Sequence, residues 1–328
     1  MGLAVQHVNA GELFPVRIGD KSGFIDSGGK LQIAATFDAV HQFSEGLAAA
    51  QQNKLWGFID QDGHWAIKAQ YEGVESFSEG LAKVIKKKGM LGMDGSQCGF
   101  IDTKGSLVIE YTYSNAGRFR NNLARVERKG KWGFIDQKGT IVIEPQFDEA
   151  GDFADGLACV KAGGDWRGKF GYVDAKGNMK INPIYDALES FNEGLASFKR
   201  DGKCGFIDTD GKVVIEPQFD GAWIFSNGRA VVKVGSKLGY IDKAGKLIVN
   251  PMYDDAKAFN EDLAPVRRDG KWGYIGTDGT TMIPQVYEEA GDFRMGLAQV
   301  MLKGAPCWIG KNGDIVWSPD NKSASNRD

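Results

Sequence analysis

Three histidines, four cysteines and 43 carboxylates are the groups in this 328-residue chain that could do chemistry, and their spacing argues against most of it. His7, His41 and His64 form no H-E-x-x-H or comparable pattern, so the helical zinc-hydrolase arrangement is excluded. Cys98, Cys159, Cys204 and Cys307 lack C-x-x-C spacing, which argues against a thiol metal site or a redox pair. No G-x-S-x-G elbow and no P-loop occurs. Asp60-Gln61-Asp62-Gly63 and Asp208-Thr209-Asp210-Gly211 invite a calcium reading, but they lack the alternating oxygen ligands and the distant Glu of a calcium loop. A carboxylate pair for glycoside hydrolysis stays open only as the last-ranked reading, because catalytic groups are unique rather than periodic. No catalytic, cofactor-binding or metal-binding residue is expected.

The carboxylates are periodic because the whole chain is. An aromatic-Ile-Asp-x-x-Gly signature recurs from Phe24 to Tyr274, with a worn ninth copy at Trp308. The glycine before its aromatic stands at Gly23, Gly57, Gly99, Gly133, Gly171, Gly205, Gly239 and Gly273, and Cys307 takes that place last. The spacing is 34 residues, stretched once to 42 and once to 38. Each unit holds three short pieces rich in β-branched and aromatic residues: Gly-Leu-Ala-x-Val, Trp-Gly-Phe-Ile-Asp, and a run such as Ile141–Phe147. Gly or Pro interrupts every eight to twelve residues, so strands are favoured over the helices that also suit a 34-residue period. Between the second and third pieces, the Asp and Gly of Asp60/Gly63, Asp136/Gly139 and Asp208/Gly211 are structural. Glycine supplies φ > 0, and the Asp oxygen accepts turn N–H groups.

Lys131-Trp132-Gly133-Phe134-Ile135-Asp136, then Ile-x-Pro-x-Phe/Tyr-Asp, then Phe-x-x-Gly-Leu-Ala-x-Val resembles the bacterial WG repeat family from about Leu13 to Pro319. The resemblance implies a β-rich repeat protein used for interaction or surface binding, with no shared catalytic residues. The hairpins are also similar to choline-type cell-wall-binding repeats, although the unit here is much longer. The Trp position holds Ser22, Trp56, Cys98, Trp132, Phe170, Cys204, Leu238, Trp272 and Pro306. A slot that accepts Leu and Cys reads as packing rather than as a repeated ligand platform.

The expected architecture is an all-β open solenoid or spiral of about nine three-stranded units, with a β-propeller as the alternative. Blades commonly need four strands and some forty residues, and no unit is split between the termini. The division is a lead-in at 1–10, the repeat domain at 11–317 and a disordered polar tail at 318–328. A net charge of −3 gives no bulk attraction to nucleic acid or lipid, and no specific nucleic-acid motif appears. No transmembrane run or signal peptide is seen, so a cytoplasmic location is expected.

The turn after the first strand is basic and the connection between units is acidic, which predicts a basic edge and an acidic edge. Both insertions fall in the basic turn. Lys86, Lys87, Lys88, Met90, Leu91, Met93, Trp166 and Arg167 are therefore the candidate partner-binding edge. The expected function is a non-catalytic scaffold for a protein partner, with a carbohydrate or cell-envelope binder as the alternative. A polyanion or glycan is the second class of partner, and no cofactor is implied.

Overall fold

The computed structural model describes residues 12–87, 95–164 and 168–320. These form nine antiparallel sheets, one of three strands and eight of four. Blade 4 shows the pattern: strand a is Asn115–Ala116, strand b Leu123–Arg128, strand c Lys131–Asp136 and strand d Ile141–Phe147, hydrogen-bonded in the order a-b-c-d. The three apolar pieces are strands b, c and d. The unit is four-stranded rather than three-stranded, because a two-residue strand sits inside the acidic connection, where it is too short to leave an alternating pattern.

The signature residues explain the local geometry. The Gly139 N–H donates to the Asp136 carbonyl at 2.9 Å with φ of +82°, and Asp136 Oδ1 accepts from the N–H groups of Lys138 and Thr140 at 2.9 and 2.8 Å. Strand d slips register twice against strand c, pairing Phe147 with Trp132 but Ile143 with Phe134. The slip drives its backbone across Gly133, where a Cβ would lie 2.4 Å from the Ile143 carbonyl oxygen and 2.6 Å from Pro145 N. The same approach, 2.4–2.6 Å, recurs at Gly23, Gly57, Gly99, Gly171, Gly205, Gly239 and Gly273. In blade 9, strand d is only Ile315–Trp317, so nothing crosses and Cys307 fits.

After this bend a single residue, such as Asp148, separates strand d of one blade from strand a of the next, Glu149–Ala150. Consecutive blades then share cores. Leu123, Phe134, Ile143 and Phe147 of blade 4 pack with Ala150, Phe153, Ala158, Val160 and Val173 of blade 5. Nine such clusters serve nine blades, and the ninth joins Phe14, Val16 and Ile25 to Leu297, Trp308 and Trp317. The hairpin glycines say the same. Gly139 lies against Ile109 of the preceding blade, and Gly29 of blade 1 lies against Val316 of blade 9. An open array of nine has eight interfaces. The molecule is a closed nine-bladed β-propeller, and the open solenoid is overturned.

Two physical reasons separate expectation from outcome. A two-residue strand and a one-residue link make a four-stranded blade fit in 34 residues. Among the described residues the ring also closes by side-chain packing, with no blade split between the termini. Eight seams each pair an aromatic of strand c with a Phe that follows the next strand a, or in blade 7 lies within it, as in Phe134–Phe153 at 4.8 Å and Tyr274–Phe293 at 4.8 Å. At the closing seam Phe14 stands where the other blades carry Ala48, Ala82 or Ala124. It meets Trp308 edge-on at 5.2 Å, while Trp308 Nε1 donates to the Pro15 carbonyl at 3.1 Å.

Gly205→Ala should therefore lose about 3 kcal/mol by overpacking against backbone, whereas Gly194→Ala, at φ +81° with open space around its Cβ, should lose only about 1 kcal/mol. Urea unfolding of both variants checks the difference. Trp308→Ala should lose about 3–5 kcal/mol by the same measurement, although it lies in the least regular repeat.

Candidate functional site

Each blade presents its b–c turn and its d–a link at one end. The lysine that opens strand c pairs with the acid of the link: Lys21–Asp38 at 2.6 Å, Lys131–Asp148 at 2.5 Å, Lys203–Asp220 at 2.6 Å and Lys237–Asp254 at 2.5 Å. Lys169 and Asp186 form the same pair. The other carboxylate oxygen accepts an N–H from the b–c turn of the following blade, at Asn53, Gly164, Gly235 and Asp269. The lysine hydrogen bond is the first cause that holds Asp38, Asp148, Asp186, Asp220 and Asp254 below the usual carboxylate range. Basic turns and acidic links thus meet on one face, not on separate edges. The expected charge separation arises only in part, because the one-residue link keeps its own acid beside the basic turn while later acids of the same connection, such as Asp155, Glu193 and Glu261, lie on the opposite face.

The opposite face is stapled too. Glu45 accepts from the Glu79 and Gly80 N–H groups of the next blade at 2.6 and 2.9 Å, Asp155 from Gly194 at 2.8 Å, and Glu193 from Gly228 at 3.1 Å. Glu261 accepts from Met295 and Gly296 while holding Lys311 at 3.1 Å. The link acids and these staple acids are therefore occupied by neighbouring blades.

Between blades, the link face opens into grooves. One of ≈ 340 Å³ lies between blades 2 and 3, lined by Leu55, Gln70, Tyr71, Glu72, Ile85, Lys86 and Tyr111. Lys86 Nζ stands 5.9 Å from the Tyr111 ring centroid, and the Glu72 carboxylate accepts from the Lys87 N–H. A second of ≈ 420 Å³ between blades 8 and 9 includes Lys257, Trp272, Glu289, Gln299, Met301 and Pro306. There Lys257 and Arg267 lie 5.3 and 5.6 Å from the Trp272 ring, which leaves the indole faces already covered by protein cations.

The family model for the WG containing repeat matches eight times, at residues 23–56, 56–88, 99–132, 132–166, 170–204, 205–237, 239–272 and 272–304. The chain belongs to the WG containing repeat family. No curated protein sequence matches it. Among solved structures, that of a eukaryotic initiation factor is similar at TM-score 0.66 and 10% identity, over 93% of this chain and 95% of that chain. The WD40 domain of Neurospora crassa Pan2 matches at TM-score 0.38 and 14% identity, over 76% of this chain and 89% of that one. The first likeness is one of fold alone.

In this WG repeat protein the variable Trp position lines the groove between blades 8 and 9, at Trp272 and Pro306, but not the groove between blades 2 and 3. Ser22, Cys98, Cys204, Leu238 and Trp272 are buried, while Trp56, Trp132, Phe170 and Pro306 are half-buried. Three of these aromatics lie beneath cations, including Arg125 at 5.2 Å from Trp132, a pairing that sequence spacing did not reveal. Of the candidate edge, Lys86 and Lys87 are exposed at the end of strand b. Lys88, Met90, Leu91, Met93, Trp166 and Arg167 lie outside the described residues. Asp60 Oδ1 accepts from the N–H groups of Asp62 and His64, and Asp208 Oδ1 from those of Asp210 and Lys212. Gly63 and Gly211 have φ of +83° and +82°. The ligand atoms of Asp60, Asp62 and His64 lie within 4.8 Å of one another, but the Asp60 oxygen is already the turn acceptor. All four cysteines are buried and unpaired, and burial pushes the Cys159 thiol up to about 12.

His41, the link aspartates and the hairpin carboxylates Asp26, Asp102, Asp174 and Asp278, which are lowered too, set the pH response. Burial lowers the His41 pKa against an opposing effect of Glu75, so the folded state disfavours its cation and stability falls slightly as pH drops below about 6.5. The lowered aspartates contribute stability that is complete above about pH 4 and is lost as pH falls through their folded values. The urea midpoint should show a small step near the first value and a steeper fall below the second. Asp148→Asn should flatten only the acid part.

Proposed function

We propose that this WG repeat propeller is a non-catalytic platform that binds a protein partner on its link face, anchored in the groove between blades 2 and 3. The observation that carries the reading is the Lys86–Tyr111 stack in that groove, next to Leu55 and Tyr71 and at the base of the eight-residue insertion. Aromatic residues with a cation over an apolar floor are the composition of binding hot spots. Elsewhere on this face the lysine that opens strand c is held by the link aspartate in five blades, whereas Lys86 has no acid partner among the ion pairs and lies over Tyr111. Lys88, Met90, Leu91 and Met93 follow directly in sequence and extend the proposed contact, and Trp166 and Arg167 occupy the equivalent turn two blades on. Four unpaired cysteines support a reducing compartment.

A carbohydrate-binding reading is favoured by one residue. Trp223 is 42% exposed at a position held by Glu189 and Lys257 in the adjacent blades, so its ring is free to stack on a sugar. A single stacking platform gives weaker binding than a ladder of them, which ranks this reading second.

Affinity capture with the wild type, a K86E/Y111A variant and a W223A variant separates the two. Loss of one specific protein only from K86E/Y111A supports the partner groove. Unchanged protein capture by K86E/Y111A, together with glycan-array binding lost in W223A, would replace it with the carbohydrate reading.

A further inference from the structure

At the end of the ring opposite the links, the turn between strands a and b passes side-chain bonds to the next blade. Ser44, Ser78, Asn192 and Ser226 donate to the carbonyls of Phe77, Phe119, Phe225 and Phe259 at 2.6–2.8 Å, while Asp155 and Glu261 accept from Gly194 and Gly296. Blade 4 receives both kinds of bond. Its Phe119 carbonyl accepts from Ser78, and its Asn122 N–H donates to Glu79 at 2.8 Å. Among the described residues it passes on neither. Arg120 stands at the position of Ser44 and Ser78, and Asn121 at that of Glu45 and Glu79. Strand b makes good the loss. Arg125 donates to the Ala150 carbonyl of blade 5 at 2.5 Å and pairs with Asp152 at 2.8 Å, where blades 2, 7 and 8 carry Ala49, Val231 and Pro265. A departure from the repeat that is compensated nearby marks a position held for something other than the ring.

What blade 4 gains is positive charge. Arg118 and Arg120 flank the buried Phe119, so both point away from the core, and both are exposed with no ion pair among the described residues. Lys138 is exposed in the hairpin of the same blade, where Gln137 reaches the Glu79 carbonyl at 3.1 Å and so holds the hairpin beside the turns. Lys104 and Lys176 take the Lys138 position in blades 3 and 5, whereas blades 2, 6 and 8 have Asp62, Asp210 and Asp278 there. The acids of this stretch are engaged. Asp136 accepts two turn N–H groups, Glu79 and Asp155 hold neighbouring turns, and Asp152 holds Arg125. We propose that Arg118 and Arg120, with Lys138 and the flanking Lys104 and Lys176, bind an acidic segment of a protein partner. An arginine fork pairs two N–H groups with one carboxylate. Cations repeated over three successive blades match carboxylates repeated along an extended chain better than a single phosphate. The five residues offer no aromatic ring for a base to stack on, which disfavours a single-stranded nucleic acid. This surface lies on the opposite face from the Lys86–Tyr111 groove and stands without it.

Fluorescence anisotropy at low salt, with a labelled peptide of alternating Glu and Ser beside an oligothymidylate of equal charge, tests this. The wild type should bind the peptide more tightly than the oligothymidylate. R118E/R120E should weaken peptide binding at least about tenfold, whereas K30E/K246E, the same charge change in blades 1 and 7 of this face, should alter it less than about twofold. A wild type that does not bind the peptide, equal loss in the two variants, or oligothymidylate bound as tightly as the peptide overturns the assignment. If R118E/R120E does not fold, R118Q/R120Q decides. Weakened peptide binding by that variant supports the assignment, and wild-type affinity overturns it.

Discussion

The crossing of strand d over the glycine of strand c is the constraint on which the remaining structure depends. Only a residue without Cβ lets the Ile143 carbonyl come so close to strand c, and that approach is what double register slip requires. The chain then leaves that sheet and enters the next one as strand a after a single residue. Short links hold adjacent sheets in face contact, so the apolar residues of strand d are buried by the following blade rather than by their own. Stability is therefore shared between neighbours. No blade owns a complete core, and the ring is satisfied only when the last blade meets the first.

The closing seam differs from the other eight, and the differences agree with one another. Phe14 replaces an alanine, Trp308 replaces a Phe or Tyr, and strand d of blade 9 stops after three residues. Each change alone would damage a regular blade. The phenylalanine at the alanine position finds its partner across the seam, edge-on against the Trp308 ring. The same economy explains the free exchange of Phe and Tyr inside the repeat. The hydroxyls of Tyr240 and Tyr274 donate to the carbonyls of Lys257 and Gly291 at 2.8 Å, so burying the extra oxygen leaves no unpaired group.

Much of this was legible in the residues. The 34-residue period, the three longer strands and the Asp-x-x-Gly hairpins follow from apolar runs and from glycine at positive φ. The fourth strand was not legible, since two residues such as Asn115-Ala116 carry no alternation. Closure was hidden for a related reason: it depends on Phe14 and Trp308, which look like decay of the repeat until they are seen in contact. Charge was misread because sequence order separates Lys131 from Asp148 by a whole hairpin, whereas the hairpin folds them onto the same end. The grooves were half legible. Lys86 was singled out by its place beside an insertion, but its position over Tyr111 requires two blades to be side by side.

A repeat that uses its own charges to join blades has consequences for recognition. The link aspartates and the Glu45-type staples are satisfied inside the ring, so a partner drawn to them must displace an internal bond. Binding is cheaper where the pattern lapses. Blades 4, 7 and 9 put Asn121, Asn227 and Met295 in the staple position, blade 3 replaces the Trp with Cys98 beside a lengthened turn, and blade 7 exposes Trp223. These interruptions leave the ring intact, because each seam has several contacts and none of these residues is the crossing glycine. In such an array the invariant residues maintain the fold and the exceptions are free to acquire a use. Tyr111 belongs to the second group, since Pro145, Pro183, Pro217 and Pro251 hold its position in other blades.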